Sequence, residues 1–310
     1  MTIFAFDIGG TFTKYGVISD DGKILEKSKI PTVHNEEDLL KNLLGLVNEA
    51  NRKYPDIKGI GISAPGIVSD EGRMITFGAL KKMYGLPLAE SLNVLTSLPV
   101  TVENDANAVA IAEGWQGGAK GLKNYIVMAL GTGIGGGIVI NGQVYTGAHG
   151  GAGEFGWPLY HGIYRRGNIE FQSENFRSSV VSGLLTRYQA LANPMGEKEF
   201  LEDAVILIER VKSGDQKAAA VWQDYIEDVA INLINLMAIF DPEAILVGGG
   251  ISESDIFMRD LRNKFMRLIK SHESLNRINE MGLIGEIRRA ILGNDAGLLG
   301  AAYSVIQKSG

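Results

Sequence analysis

The amino-acid sequence predicts an α/β protein of two related domains, and three observations carry that expectation. Strand-like apolar runs alternate with helical segments along the chain. One plan of strand, glycine turn, strand and hairpin occurs twice, about 120 residues apart. Four apolar strands end in glycine turns: DIGGT (7–11), APG (64–66), GTGIGGG (131–137) and GGG (248–250).

The elements follow in order. IFAFDIGGTFTKYGVISDDGKILEKSKI reads as strand, glycine turn at 9–10, strand, Asp21-Gly22 hairpin and strand. EEDLLKNLLGLVNEANRKY (36–54) has its leucines at helical spacing. IKGIGISAPG (57–66) is a buried strand ending in a Pro-Gly turn, and PVTVEND (99–105) is another strand. DANAVAIAEGW starts a helix with Asp105 near its cap. ALGTGIGGGIVINGQ (129–143) formally matches G-x-G-x-x-G at Gly131, Gly133 and Gly136. A dinucleotide turn needs a helix directly after those glycines. Here a strand and an Asn141-Gly142 hairpin follow, which makes this the second copy of the opening plan.

In the second half, Gly214-Asp215 opens a long helix with a core stripe of Trp222, Tyr225, Val229, Leu233, Leu236 and Phe240. It stops at Asp241-Pro242. AILVGGGIS (244–252) runs into a triple-glycine turn, followed by a helix to about residue 270. EIRRAIL is a last strand, and Asn294-Asp295 caps a C-terminal helix, AGLLGAAYSVIQ. The expected domains are residues 1–118 plus 296–310, a small N-terminal α/β domain, and 119–295, a larger C-terminal one.

Composition narrows the function classes. A chain of 310 residues, 45% apolar and 21% charged, can bury two ordinary globular cores. A net charge of −6 argues against nucleic acid or an anionic membrane as partner. The absence of cysteine excludes disulfides and every thiolate metal site. MTIFAFDIGG is apolar for too few residues to be a signal segment, and VAINLINLMAIF (229–240) is far below spanning length. The expectation is a soluble, cytoplasmic protein.

Glycine lets backbone N–H groups approach an anion with no Cβ in the way. One such turn is more often only a tight turn. Several together, with Thr11 and Thr132 supplying hydroxyls, point to a polyphosphate. No Walker sequence occurs, so a P-loop is excluded. On residues alone, Asp105 is equally a helix cap or a reactive acid.

Seven motifs in order, FDIGGT, PG (65–66), ENDAN (103–107), GTGIGGG, GEFG (153–156), VGGGIS and NDAGLLGAA, together resemble the ROK sugar kinases. That resemblance runs from residue 3 to beyond 300 and implies the actin-like ATPase (ribonuclease H-like) fold, with two related domains around a central cleft. It implies that Gly9, Gly10 and Thr11 of one hairpin and Gly131, Thr132 and Gly133 of the other hold the phosphates of ATP. Asp7 would hold Mg²⁺, through water. Gly248 and Gly249 would border the adenosine, and Lys14 either reaches a phosphate or is solvated. Asp105 matches the catalytic base that orients the attacking hydroxyl. Gly66, Asn104, Asp105, Glu154 and Glu174 would bind the sugar, with Glu170 a rival for the last place.

One departure bears on metal content. Many ROK proteins place a histidine after GEFG-type motifs, then a cysteine cluster that completes a structural zinc site. This chain has Trp157 there and only His149 and His161 nearby, so no structural zinc is expected. The zinc-free pattern resembles the β-glucoside kinase branch. The implied activity is ATP-dependent phosphorylation of the 6-hydroxyl of a glucose unit, with a β-glucoside such as cellobiose leading. A kinase of glucose, N-acetylmannosamine or fructose is the alternative, and a sugar-sensing regulator or an actin-like assembly protein stands further off. Trp157, Tyr160, Tyr164, Phe171 and Phe176 either pack on a second sugar ring or are core. The family further implies a homodimer with a small sugar as ligand, and the net charge argues against nucleic acid or membrane as partner.

Overall fold

The computed structural model describes residues 1–163, 167–193 and 203–309. The chain divides into two compact units, 1–123 with 137–153 and 291–310, and 124–136 with 154–290. This grouping differs from the boundaries expected at 118/119 and 295/296 chiefly in residues 137–153, which join the first unit. The cause is close packing: a Cβ on Gly137 would lie 2.6 Å from that of Ala110, and only glycine lets the strand approach the helix so nearly.

In the first unit, β1 (Thr2–Ile8), β2 (Phe12–Ser19), β3 (Ile24–Pro31), β4 (Ile57–Ala64) and β5 (Val100–Asn104) form one sheet in the order β3-β2-β1-β4-β5. The first three strands meander antiparallel, and β4 and β5 run parallel to β1. β1 is apolar from Ile3 to Phe6 because both its faces are covered. Phe4 and Phe6 point into one core with Leu39 and Leu43 of α1 (Glu36–Lys53) and Leu92 of α2 (Leu88–Thr96). Ile3 and Ala5 point the other way, into a second core with α3 (Asp105–Gln116) and the C-terminal α9, introduced below.

The second sheet contains β6 (Tyr125–Leu130), β7 (Ile134–Ile140), β8 (Gln143–Val144), β9 (Ala244–Gly248) and β10 (Glu286–Arg289), in the order β10-β9-β6-β7-β8. The unit boundary falls within β7. Asn141 and Gly142 have φ of 53° and 80°, the two left-handed positions that a tight hairpin between β7 and β8 requires. Between β8 and β9 lie α4 (Thr186–Ala192), α5 (Ala204–Lys212) and the long α6 (Gln216–Phe240). Asp215 caps α6 by accepting from Lys217 and Ala218 N–H, and left-handed Asp241 before Pro242 ends it. α7 (Asp255–Ser271) and α8 (Glu273–Glu280) precede β10, and α9 (Ala296–Ser309) closes the chain. Among the described residues no helix is long and apolar enough to cross a membrane.

α9 explains the small residues of NDAGLLGAA. A Cβ on Gly300 would lie 1.8 Å from the Ala108 carbonyl oxygen, so this glycine sets the closeness of α9 to α3. Asn294-Asp295 does not act as a simple helix cap. Residues Gly293–Asp295 form a 3-10 turn before α9, and Asp295 is instead ion-paired to Lys27 at 2.7 Å. The buried Glu113 of α3 fastens the returning chain: its carboxylate accepts from Gly118 N–H at 2.7 Å, Ile291 N–H at 2.8 Å and Leu292 N–H at 2.9 Å.

Candidate active site

The first unit gathers Asp7, Lys14, Gly66, Asn104 and Asp105. Asp7 and Lys14 are register partners on β1 and β2, and Lys14 Nζ donates to Asp7 Oδ2 at 3.1 Å and to the Asn294 carbonyl at 3.2 Å. Ser63 Oγ donates to Asp7 Oδ1 at 2.9 Å. Gly297 leaves room for this carboxylate, since a Cβ there would meet its carbon at 2.5 Å. Lys14 is therefore paired with Asp7, while its side chain stays 36% exposed.

The DIGGT turn is braced from outside. Gly9 N–H donates to Phe12 O at 3.0 Å, Thr32 Oγ1 donates to Gly9 O at 2.7 Å, and Thr32 N–H donates to Thr11 O at 2.9 Å. Gly10 and Thr11 are exposed, and open space surrounds the position a Gly10 Cβ would take. Packing does not explain Gly10.

Asn104, not Asp105, caps α3. Its Oδ1 accepts from Ala106 N–H at 2.9 Å and Asn107 N–H at 3.1 Å, while its amide donates to the Gly66 carbonyl at 2.9 Å. Gly66 has φ 105°, and a Cβ there would strike Thr76 O at 2.6 Å. Asp105 is the first helical residue, accepts from Ala106 N–H at 2.8 Å, and is exposed to solvent. Desolvation by the surrounding protein pushes its carboxyl above the ordinary value; the Ala106 N–H opposes this and the charge of Asp7 adds to it. A carboxyl raised in this way, free of the capping duty, is suited to take a proton.

The second unit holds the other glycine turn. Gly131 N–H donates to Gly133 O at 3.0 Å, Val180 N–H donates to Gly131 O at 2.9 Å, and Asn175 Oδ1 accepts from Ile134 N–H at 2.9 Å. Thr132 is exposed at the tip. Gly131 and Thr132 line a cavity of about 510 Å³ with Val180, Ile208, Gly250 and Ser254. Gly250 is the member of the triple glycine that reaches this cavity; Gly248 and Gly249 are not among its lining residues. Gly249 has φ 89° and would clash with Leu130 O at 2.0 Å if it carried a Cβ, so its reason is local packing. The α5 wall of the cavity, Ala204, Val205 and Ile208, carries no residue type that marks a nucleotide site in the sequence.

Glu154 is partly buried in the loop after the first unit, with Trp157 N–H donating to its carbonyl at 3.1 Å. Glu174 begins a 3-10 turn and is only 1% exposed. Ser178 Oγ donates to its Oε2 at 2.5 Å, and His161 Nε2 lies 3.6 Å from its Oε1. Burial pushes this carboxyl up against the opposing Ser178 bond. Glu170 is exposed on the preceding turn. Trp157, Tyr160 and Phe171 are exposed rather than core, and Phe171 meets the partly buried Phe176 edge to face at 5.1 Å. Tyr164 lies outside the described residues.

The Asp7 carboxylate, with Asp105 close enough to feel its charge, fits a magnesium ion delivered with phosphates. Mg²⁺ is commonly bound by one or two carboxylates plus substrate oxygens.

The sequence profile of the ROK family matches residues 3–308. A β-glucoside kinase of Klebsiella pneumoniae is 34% identical over 306 residues, spanning 98% of this chain and 95% of that enzyme. A β-glucoside kinase of Listeria innocua is 31% identical over 99% of this chain and 98% of its own. Among solved structures, the ROK hexokinase of Thermus thermophilus superposes with a TM-score of 0.82 at 28% identity, covering 100% of both chains. The ROK family glucokinase of Streptomyces griseus, solved with glucose and AMPPNP, gives 0.75 at 28% identity over 99% of this chain and 100% of that one. With its motifs in place over nearly the whole length, the chain belongs to the ROK family, as an ATP-dependent sugar kinase of actin-like fold.

Proposed function

We propose that the substrate is a β-glucoside such as cellobiose, phosphorylated on the 6-hydroxyl of a glucose unit, with Asp105 as the base. The observation that carries the chemistry is the division of labour at the start of α3: Asn104 caps the helix and Asp105 does not need to. Asp105 accepts the proton of the hydroxyl as its oxygen forms the bond to the γ-phosphorus and the bond to ADP breaks. Asn104 and Gly66 fix the backbone that carries it, and Glu154 and Glu174 are the further carboxylates that would hold sugar hydroxyls. Gly9, Gly10 and Thr11 in the first unit, and Gly131, Thr132 and Gly133 in the second, each form a turn whose backbone N–H groups and hydroxyls suit phosphate. The cavity beside Gly250 takes the adenosine. Asp7 holds Mg²⁺, which when bound draws off charge from the phosphate oxygens. Lys14 holds Asp7 in place beside it.

The preference for a β-glucoside is supported by the exposed Trp157, Tyr160 and Phe171, apolar surfaces of the kind that pack on a sugar ring, and by the two relatives named as β-glucoside kinases. Coupled measurement of ADP release with a panel of sugars tests it. Cellobiose should give a higher kcat/KM than glucose, N-acetylmannosamine or fructose; a higher value for any of the three would overturn the β-glucoside assignment.

A further inference from the structure

α6 carries a polar seam that the reaction above leaves unused. Tyr225, Asp228 and Asn232 recur at helical spacing and are buried. The Asp228 carboxylate accepts from Arg187 Nη1 at 2.8 Å on one oxygen. Its other oxygen lies 3.6 Å from Arg177 Nη2 and 3.7 Å from His161 Nε2. That same imidazole nitrogen is 3.6 Å from Glu174 Oε1. Arg187 also donates to the Gly183 carbonyl at 3.2 Å and to that of Arg177, tying the chain around Glu174 to α4. Among the described residues, Glu174 Oε1, His161 Nε2, Arg177 Nε, Tyr225 Oη and Asn232 Oδ1 are shut from solvent without a hydrogen-bond partner.

We propose that Asp228 and His161 are positioning residues for Glu174: Asp228 gathers the two arginines and the imidazole, and the imidazole fixes where the Glu174 carboxylate points. The proposal rests on reading Glu174 as a sugar-binding carboxylate. Charge balance supports it. Two carboxylates and two guanidiniums cancel when the imidazole is neutral, and burial together with Arg177 and Arg187 holds His161 below its ordinary value, against Asp228. The groups facing Glu174 are Ser178, Arg177, Arg187, Asp228, His161 and Tyr160. Of these Asp228 disfavours its ionised form and the arginines favour it. Removing the Asp228 charge therefore frees both arginines to draw Glu174 away from the sugar and makes it easier to ionise.

Steady-state kinetics with the preferred sugar across pH 5–8 test this on Glu174→Gln, Asp228→Asn, His161→Ala and His161→Gln. Glu174→Gln should raise the sugar KM. Asp228→Asn and His161→Ala should each raise it roughly tenfold, because the Glu174 carboxylate loses its fixed direction, with kcat changed far less. Asp228→Asn should also move the acid limb of the sugar KM to lower pH. His161→Gln keeps an N–H near the Nε2 position and should recover most of the loss. If Asp228→Asn fails to fold, the two His161 variants decide. Unchanged KM and pH profile in His161→Ala and Asp228→Asn, beside a raised KM in Glu174→Gln, overturns the positioning role alone. An unchanged KM in Glu174→Gln removes its sugar role, and the positioning proposal falls with it.

Discussion

Asp105 and Gly10 separate chemistry from architecture at single positions. Asparagine at 105 keeps the shape of the side chain, and Asn104 keeps the cap. Asp105→Asn should therefore lower kcat by about 10²–10⁴-fold, with KM values little changed. Its stability should not fall. The folded protein holds the Asp105 proton more tightly than the unfolded chain does, so ionising it costs stability as pH rises from the ordinary value of 3.8. Asparagine escapes that cost. The same shift puts the acid limb of kcat/KM above the ordinary value of 3.8. A variant retaining most of its turnover, or a wild-type limb near 3.8, would return Asp105 to a structural role. At Gly10 the space for a methyl group is open. Gly10→Ala should leave the melting temperature unchanged and raise the KM for ATP; a destabilised variant with normal KM would show that the glycine serves the turn.

Among the elements, the meanders and most helices were legible in the sequence because each has a local cause: period-2 or continuous apolar runs, glycine or Asx turns, and a Pro after α6. Functional detail was less so. Asn104 and Asp105 are adjacent, and only the hydrogen bonds show which one caps. The stripe on α6 was read as apolar, passing over Asp228 and Asn232, because a charge within a helix is by default assigned to solvent. Glu113 was missed for the same reason, although it is fully buried. Its three backbone donors come from Gly118 and from Ile291 and Leu292, far along the chain, and no spacing rule links them. Glu113→Ala should leave those donors without an acceptor and cost roughly 3 kcal/mol or more in denaturant unfolding. Glu113→Gln keeps one carbonyl oxygen and should cost less. A loss below about 1 kcal/mol for the alanine variant would show that water replaces the carboxylate.

For the whole molecule, metal dependence should divide into a catalytic part and a structural part. Nothing in the 310 residues can supply a thiolate. His161 is committed to Glu174 and Asp228, with two arginines crowding the same carboxylate, which makes the neighbourhood hostile to a dication. His149 is exposed. A metal that bound only the folded state would raise the melting temperature by mass action, and stripping it would lower that temperature. The nucleotide-free protein should therefore melt at the same temperature with and without a strong chelator. Turnover should nonetheless vanish with the chelator and return with Mg²⁺, because the metal enters with the phosphates and not with the fold. Zinc near one equivalent by elemental analysis, or a melting temperature that drops on chelation, would mean that a structural metal holds the second unit after all. The ion-pair seam of α6 would then have to be re-read as its surroundings.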